Sequence, residues 1–126
     1  DVTEKTQCTP ADFTMLAEKS PKIGGFLRNA AEFYFDFHQQ KTGVRSCFMH
    51  DPSAILAITD PQVFTYEMMP LKVVCDGLEI GRTKRYDGTD CRPVKVAMGV
   101  DGTMAREKFL ALIAAADSIS QSRRDG

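Results

Sequence analysis

The feature of this sequence that most constrains its fold is a long run of apolar residues at helical spacing before Gly43. Apolar side chains recur every three or four residues, which predicts one long amphipathic helix. Ser20 is expected to cap this helix, Pro21 suits its first turn, and Gly43 is a stop signal. We expect the helix to be well buried, with an apolar side formed by Ile23, Phe26, Leu27, Ala30, Phe33, Tyr34 and Phe37.

Shorter elements surround this helix. Thr9-Pro10-Ala11-Asp12 is a helix start, because threonine caps, proline fits the first turn and aspartate follows three residues after the cap. A short buried helix is predicted over 52–58, and Asp101-Gly102-Thr103 begins a last helix. Alternating residues predict strands near 70–76, 81–86 and 94–100. This order of elements predicts an α/β or α+β fold, and 126 residues suggest one domain.

Composition excludes several classes of function. The net charge is −1, with basic and acidic residues interspersed, so neither a nucleic-acid partner nor a membrane surface is expected. The longest apolar runs are shorter than the roughly 20 residues that a membrane span needs. The four cysteines are not at C-x-x-C spacing, which argues against a zinc site and favours reduced thiols in a cytoplasmic protein. The first residue is Asp1 rather than methionine, which suggests a fragment or a processed product.

The tripeptide His50-Asp51-Pro52 is the main candidate for chemistry. It joins one of only two histidines to a carboxylate at the start of an apolar helix. A functional interpretation makes His50 a proton donor beside a carboxylate that could bind a metal or a hydroxyl. A structural interpretation makes Asp51 the N-cap of the helix, with Pro52 in the first turn. On residues alone the structural interpretation is favoured, because Asp-Pro helix starts are common.

The second histidine, His38, is expected near the end of the long helix. A histidine there can interact with the helix dipole, and this structural role is favoured over catalysis. His38 and His50 could nevertheless flank one pocket if the segment 43–49 turns back. The neighbouring aromatic side chains are expected to be core, although they could also wall a pocket for a flat ligand.

Several of these motifs together resemble the C-terminal part of nucleoside hydrolases. The run that ends at His38 is similar to the plant-type, uridine-preferring members. The resemblance extends over nearly the whole chain, from Asp1-Val2-Thr3 to about Ile113. It is carried by Phe33-Tyr34-Phe35-Asp36-Phe37-His38, Gly43, His50-Asp51-Pro52, Ile55-Leu56-Ala57, Asp60-Pro61, Phe64-Thr65, Gly81-Arg82-Thr83 and the strand from Val94 to Asp101.

The resemblance implies a Rossmann-like α/β fold with helices packed on a mixed sheet. It also implies hydrolysis of the N-glycosidic bond of ribonucleosides, in a homo-oligomeric enzyme of nucleoside salvage that uses Ca²⁺. His50 matches the acid that protonates the leaving base, and Asp51 matches a residue of the calcium site and the ribose pocket. His38 and Thr42 match positions near the base, although Thr42 replaces a residue that often carries an aromatic hydroxyl.

One part of the family pattern has no counterpart in these 126 residues. The family's aspartate cluster, Asp-x-Asp-x-x-x-Asp-Asp, supplies most calcium ligands and the general base, and no such run occurs here. Residues 1–126 are therefore expected to be the C-terminal portion of one nucleoside hydrolase domain, completed by an N-terminal part and inactive alone. The alternatives are a non-catalytic binding or assembly module that keeps the fold, and a stand-alone ligand-binding α/β domain.

Overall fold

A computed structural model describes residues 2–122 and contains both helices and strands. The helices are α1 (Pro10–Lys19), α2 (Ile23–Thr42), α3 (His50–Thr59), α4 (Gly102–Ala114) and α5 (Ala116–Ser122), with 3₁₀ helices at Thr3–Lys5 and Pro61–Val63. The strands are β1 (Gln7–Cys8), β2 (Cys47–Phe48), β3 (Phe64–Met69), β4 (Leu71–Val73), β5 (Thr83–Arg85) and β6 (Val94–Val100). Among the described residues, no helix is both long enough and apolar enough to cross a membrane.

The chain divides into two compact units. The described residues of Asp1–Val63 and Val100–Gly126 form the helical unit, and Phe64–Gly99 forms the strand unit. Between residues 2 and 122 the strands pair two by two, as β1 with β2, β3 with β6 and β4 with β5, rather than in one mixed sheet. Residue alternation predicts where strands lie, but it carries no information about which strands pair.

The start of α1 follows its local sequence. The backbone N–H of Thr9 donates to the Asp12 carboxylate at 2.8 Å, and the Thr9 hydroxyl donates to the same oxygen at 3.0 Å. Pro10 takes the first helical position, where the missing N–H is not needed. The predicted helix start at Thr9-Pro10-Ala11-Asp12 is confirmed.

The start of α2 differs from the prediction. Ser20 closes α1 instead of capping α2, since its N–H donates to the carbonyl oxygen of Leu16. Helix α2 begins at Ile23, and its first N–H groups are capped by Asp117, which accepts from Lys22 N at 2.8 Å and from Ile23 N at 3.1 Å. The capping carboxylate comes from a distant part of the chain, so a search of neighbouring residues could not find it.

The end of α2 matches the prediction. Gly43 has a φ of 76°, the left-handed conformation that glycine adopts without strain, and its N–H donates to the carbonyl oxygen of Gln39. Gly43 is thus the helix stop that the sequence indicated.

The buried side of α2 is not the predicted one. Phe35 and His38 are buried together with Gly24, whereas Phe26 and Phe33 are 70% and 80% exposed. Gly24 permits close packing against α1, because a β-carbon there would lie 2.1 Å from the carbonyl oxygen of Leu16. The prediction of a buried Phe26–Phe33 side is therefore wrong for this chain. Helix α2 thus has two apolar sides. The side that contains Gly24 packs against the core of the helical unit, and the side that contains Phe26 and Phe33 is exposed.

The core of the helical unit lies between α1, α2, α4 and the β1–β2 pair. The rings of Phe13 and Phe35 meet edge to face, with centroids 5.3 Å apart. Buried side chains from these elements complete the core, and they are Cys8, Leu16, Cys47, Met49 and Leu110. This core holds the ends of α2 and α3, where the candidate site residues lie.

Candidate functional site

His50 is the first residue of α3 and is exposed. Its ring nitrogen Nδ1 lies 2.6 Å from the hydroxyl oxygen of Thr3, which belongs to the N-terminal 3₁₀ helix. On its other side the ring lies against Phe48, with centroids 5.6 Å apart. With Nδ1 engaged by Thr3, Nε2 is the nitrogen that can meet a ligand.

Asp51 lies inside the first turn of α3, so the prediction that it is the N-cap is wrong. The helix begins at His50, and Met49 occupies the cap position. The residue before a proline usually avoids the helical conformation. Here Pro52 is the third helical residue, where its missing N–H is still not needed by the helix. Asp51 is exposed and thus keeps a free carboxylate at the helix entrance.

Asp51 also lies at the edge of an open cavity between α3 and α4. The cavity has a volume of about 570 Å³, and apart from Asp51 its walls are apolar. Ile55 and Leu56 line one side, and Phe109 and Ile113 line the other. The cavity beside the Asp51 carboxylate is therefore suited to an apolar group of a ligand or of another protein segment.

The described residues do not by themselves fit a calcium ion. Calcium takes 6–8 oxygen ligands. No group of three or more histidine, cysteine, aspartate or glutamate residues within 2–122 could hold a metal ion. Asp51 can supply one carboxylate, and the remaining oxygens of a calcium site would have to come from outside these residues.

His38 is buried in a cluster of aromatic rings. The rings of Tyr34, Phe48 and Phe37 meet it edge to face, with centroids 4.6, 4.8 and 5.7 Å away. Only 8% of His38 is exposed, and its Nδ1 has no hydrogen-bond partner among the described residues. An unpaired buried polar atom is costly, so this nitrogen is a candidate for a partner outside these residues.

Phe48 brings the two histidines to one place. Its ring lies 4.8 Å from the His38 ring and 5.6 Å from the His50 ring. The segment 43–49 thus turns back and brings both histidine rings to Phe48. That the two histidines flank one pocket stays a prediction. Strand β2 produces the turn, because Cys47 and Phe48 pair with Cys8 and Gln7 of β1.

Thr42 closes the C-terminal end of α2. Its hydroxyl donates to the carbonyl oxygen of His38 at 2.9 Å, and it also accepts from the N–H of Val44 at 3.2 Å. These bonds satisfy backbone groups at the helix end. Thr42 is exposed. A role of Thr42 near a bound base stays a prediction.

Two residues of the site were missed at the sequence level. Thr3 is 47 positions from His50, and a lone hydroxyl in a polar segment carries no signal of its own. Phe48 is one of eight phenylalanines and has no distinctive spacing. The only signal for Phe48 in the sequence is that it lies two residues before His50.

Comparison with known proteins decides the family. The model of the inosine-uridine preferring nucleoside hydrolase family matches residues 1–107. The chain belongs to this family. Uridine nucleosidase 1 of Arabidopsis thaliana is 27% identical, in a match that covers 80% of this chain and 33% of that protein. The inosine-uridine preferring nucleoside hydrolase of Crithidia fasciculata is 26% identical, over 90% of this chain and 36% of that protein.

Solved structures of nucleoside hydrolases share the fold. A purine-preferring ribonucleoside hydrolase from Gardnerella vaginalis superposes with a TM-score of 0.83 and 25% identity, covering 94% of this chain and 39% of that one. A plant nucleoside hydrolase gives 0.76 and 28%, covering 90% and 38%. The predicted nucleoside hydrolase α/β fold is thus confirmed. The chain spans about a third of the length of the curated relatives that it matches.

Proposed function

We propose that this chain supplies the leaving-base side of an N-ribohydrolase, an enzyme that hydrolyses ribonucleosides to ribose and free base. The observation that carries the proposal is His50, an exposed imidazole at a helix entrance that is held through one ring nitrogen. Membership of the nucleoside hydrolase family supports the reaction class. His50 is the catalytic residue of this proposal.

His50 acts as the general acid. As the bond between C1′ of the ribose and the base nitrogen breaks, its electron pair leaves with the base. The proton on Nε2 of His50 joins the base, which therefore departs as a neutral molecule. Water adds to C1′, and its surplus proton goes to a base that this proposal assigns to the N-terminal part of the enzyme. A positioned general acid is typically worth about 10²–10⁴-fold in rate.

Asp51 binds the ribose side of the substrate and gives one oxygen to a Ca²⁺ site. Its carboxylate is exposed in the residue that follows His50, which supports a role close to the bond that His50 would act on. Because residues 2–122 hold no group of metal-ligating side chains, we assign the other ligands to an N-terminal part of the enzyme.

His38 and Thr42 take the base side of the pocket. The unpaired Nδ1 of His38 supports a polar contact there, and the rings of Tyr34 and Phe48 offer flat surfaces beside it. Names of the relatives include uridine and inosine, so the substrate class is a ribonucleoside with either kind of base. The setting that we propose is nucleoside salvage in the cytoplasm.

Residues 1–126 are the C-terminal portion of the enzyme in this proposal. The exposed Phe26 and Phe33 of α2 support it, since large exposed apolar patches mark surfaces that another segment or subunit covers. The N-terminal part of the enzyme and a second subunit are the partners expected there. The same exposed patch favours the second candidate function, a non-catalytic assembly module that keeps the fold.

Substrates with different leaving groups test the proposal in the complete enzyme. His50→Ala should lower kcat for uridine and inosine by about 10²–10⁴-fold. It should spare a 4-nitrophenyl riboside, whose leaving group departs as a stable anion without protonation. Glu18→Ala, on the exposed side of α1, is the control and should leave both rates unchanged. An equal loss on both kinds of substrate would assign His50 a structural role, and no loss on either would show that His50 is not the general acid. Absence of hydrolysis by the unmodified complete protein would favour the assembly module.

A further inference from the structure

We infer that Thr3 is the positioning residue of His50: its hydroxyl holds Nδ1 of the imidazole and so orients Nε2 towards the leaving base. This inference rests on the proposed function, because it assigns a partner to the proposed general acid. The distance from Thr3 Oγ1 to His50 Nδ1 is 2.6 Å, so the hydroxyl and the ring nitrogen are in direct hydrogen-bond contact.

The segment that carries Thr3 is tied to the start of α3 at two further points. The carbonyl oxygen of Thr6 accepts from the N–H of Met49 at 2.9 Å. The hydroxyl oxygens of Thr6 and Ser53 lie 3.0 Å apart, and the Ser53 hydroxyl donates to the carbonyl oxygen of Met49 at the start of α3. Thr6 also donates to the carbonyl oxygen of Thr3 at 2.7 Å. Thr3 therefore sits on a segment whose position relative to His50 is fixed from both sides.

Burial makes these ties rigid. Thr6 is 0% exposed and Ser53 is 1% exposed. The Thr6 hydroxyl donates to the carbonyl oxygen of Thr3 and the Ser53 hydroxyl to that of Met49, and a buried hydroxyl that lost such an acceptor would remain unsatisfied. The segment Thr3–Thr6 and the first turn of α3 are thus expected to move as one piece. Thr3 can hold an exposed imidazole in place because its own backbone is held by buried groups.

A hydroxyl suits a proton donor at this position. In the charged imidazole both nitrogens carry protons, and Nδ1–H donates to the oxygen of Thr3. After Nε2 has given its proton to the base, the neutral imidazole keeps Nδ1–H and the same hydrogen bond. Transfer therefore requires no rotation of the ring or of Thr3. Fixing one ring nitrogen in this way also determines which nitrogen faces the substrate.

Several other charged side chains of the helical unit have a role in holding its helices. The ion pair between Asp12 and Arg106 joins α1 to α4, and Arg45 binds Glu32 and Asp36 along α2. Thr3 differs from these groups because it contacts a proposed catalytic side chain. Its contact with His50 therefore points to the reaction rather than to packing alone.

The test compares Thr3→Val, which keeps the shape and removes the hydroxyl, with Thr3→Ser, which keeps the hydroxyl. In the complete enzyme, Thr3→Val should lower kcat for uridine and inosine by up to about 100-fold, with KM little changed. The rate on a 4-nitrophenyl riboside should be retained, and Thr3→Ser should restore most of the nucleoside rate. Thr14→Val is the matched control, since Thr14 is exposed on α1 and bonds only its own helix at Pro10.

The outcomes separate this inference from the proposed function. If His50→Ala distinguishes the two kinds of substrate but Thr3→Val behaves like the unmodified enzyme, the positioning role is wrong and the general acid stands. If Thr3→Val slows both substrates equally and Thr3→Ser does not restore activity, Thr3 is merely structural. If His50→Ala itself shows no leaving-group dependence, the proposed function fails first. Adding Thr3→Val to His50→Ala should cause no further loss.

Discussion

The helical unit and the strand unit differ in how firmly they hold their side chains. Most buried apolar residues lie in the helical unit, whereas Phe64 and Met69 are the buried apolar residues described in Phe64–Gly99. All four candidate site residues, His38, Thr42, His50 and Asp51, are also in the helical unit. The candidate site residues therefore lie in the unit whose backbone is held by the larger apolar core. A general acid depends on position, and a close-packed core supplies it.

The largest expected effect tests whether packing is concentrated in the helical unit. Phe35→Ala removes a fully buried ring and should destabilise the chain by about 3–5 kcal/mol in chemical denaturation. Phe33→Ala, two residues away on the same helix and 80% exposed, is the matched control and should change stability by less than about 0.5 kcal/mol. Similar losses for the two variants would show that the exposed side of α2 is buried in solution, for example between copies of the chain.

A smaller loss of stability is expected when the buried carboxylate of Asp12 is removed. Burial alone would raise the pKa of Asp12, but hydrogen bonds from Arg106 and Thr9 outweigh it and hold that pKa below its usual value. Asp12→Asn should cost about 1.5–3 kcal/mol at pH 7, as expected for hydrogen bonds to a charged group. Asp90→Asn, at an exposed carboxylate of the strand unit, is the control and should change stability much less.

The ion pair between Asp12 and Arg106 also predicts how the stability of the chain changes with pH. Because the pKa of Asp12 is lower in the folded chain, its stabilisation is fully present above the unfolded value of about 3.9. The stabilisation is lost as the pH falls from there through the folded pKa. Denaturation midpoints measured from pH 7 down to pH 2 should fall less steeply for Asp12→Asn than for the unmodified chain. Equal slopes would mean that Arg106 does not perturb this carboxylate in solution.

The smallest effect concerns thiols and needs no mutation. Burial raises the pKa of Cys8 to about 12 and that of Cys47 to about 11, so both should react slowly with an alkylating reagent at pH 8. Cys75 of the strand unit is exposed and Cys91 is half-buried, so these two should react first. Mass spectrometry should show two labels before denaturation and four after it. Four labels at one rate would show that the core around β1 and β2 opens.

The sequence predicted those parts of the fold that depend on neighbouring residues. The Thr9–Asp12 helix start, the stop at Gly43 and the start of α4 after Asp101 each form through contacts within a few positions. Strand β6 also lies where alternation placed it. These elements are predictable because capping, glycine conformation and side-chain alternation act locally.

Other parts were beyond prediction because the deciding contacts are distant in sequence. Asp117 caps α2 from 95 positions away, and Thr3 meets His50 across 47 positions. The choice between the two apolar stripes of α2 depends on Gly24, whose packing partner Leu16 belongs to another helix. At the candidate site, the residue types were predictable from the family resemblance. Their hydrogen bonds and the ring of Phe48 between the histidines were not.

The central claim is that this chain holds the leaving-base side of an N-ribohydrolase and depends on another segment for the rest of the site. The most direct measurement is hydrolysis of uridine and inosine by the pure 126-residue chain, with and without a calcium chelator. We predict no hydrolysis and only weak Ca²⁺ binding, because the described residues hold no group of metal-ligating side chains. Hydrolysis by the pure monomeric chain that the chelator abolishes would contradict the claim.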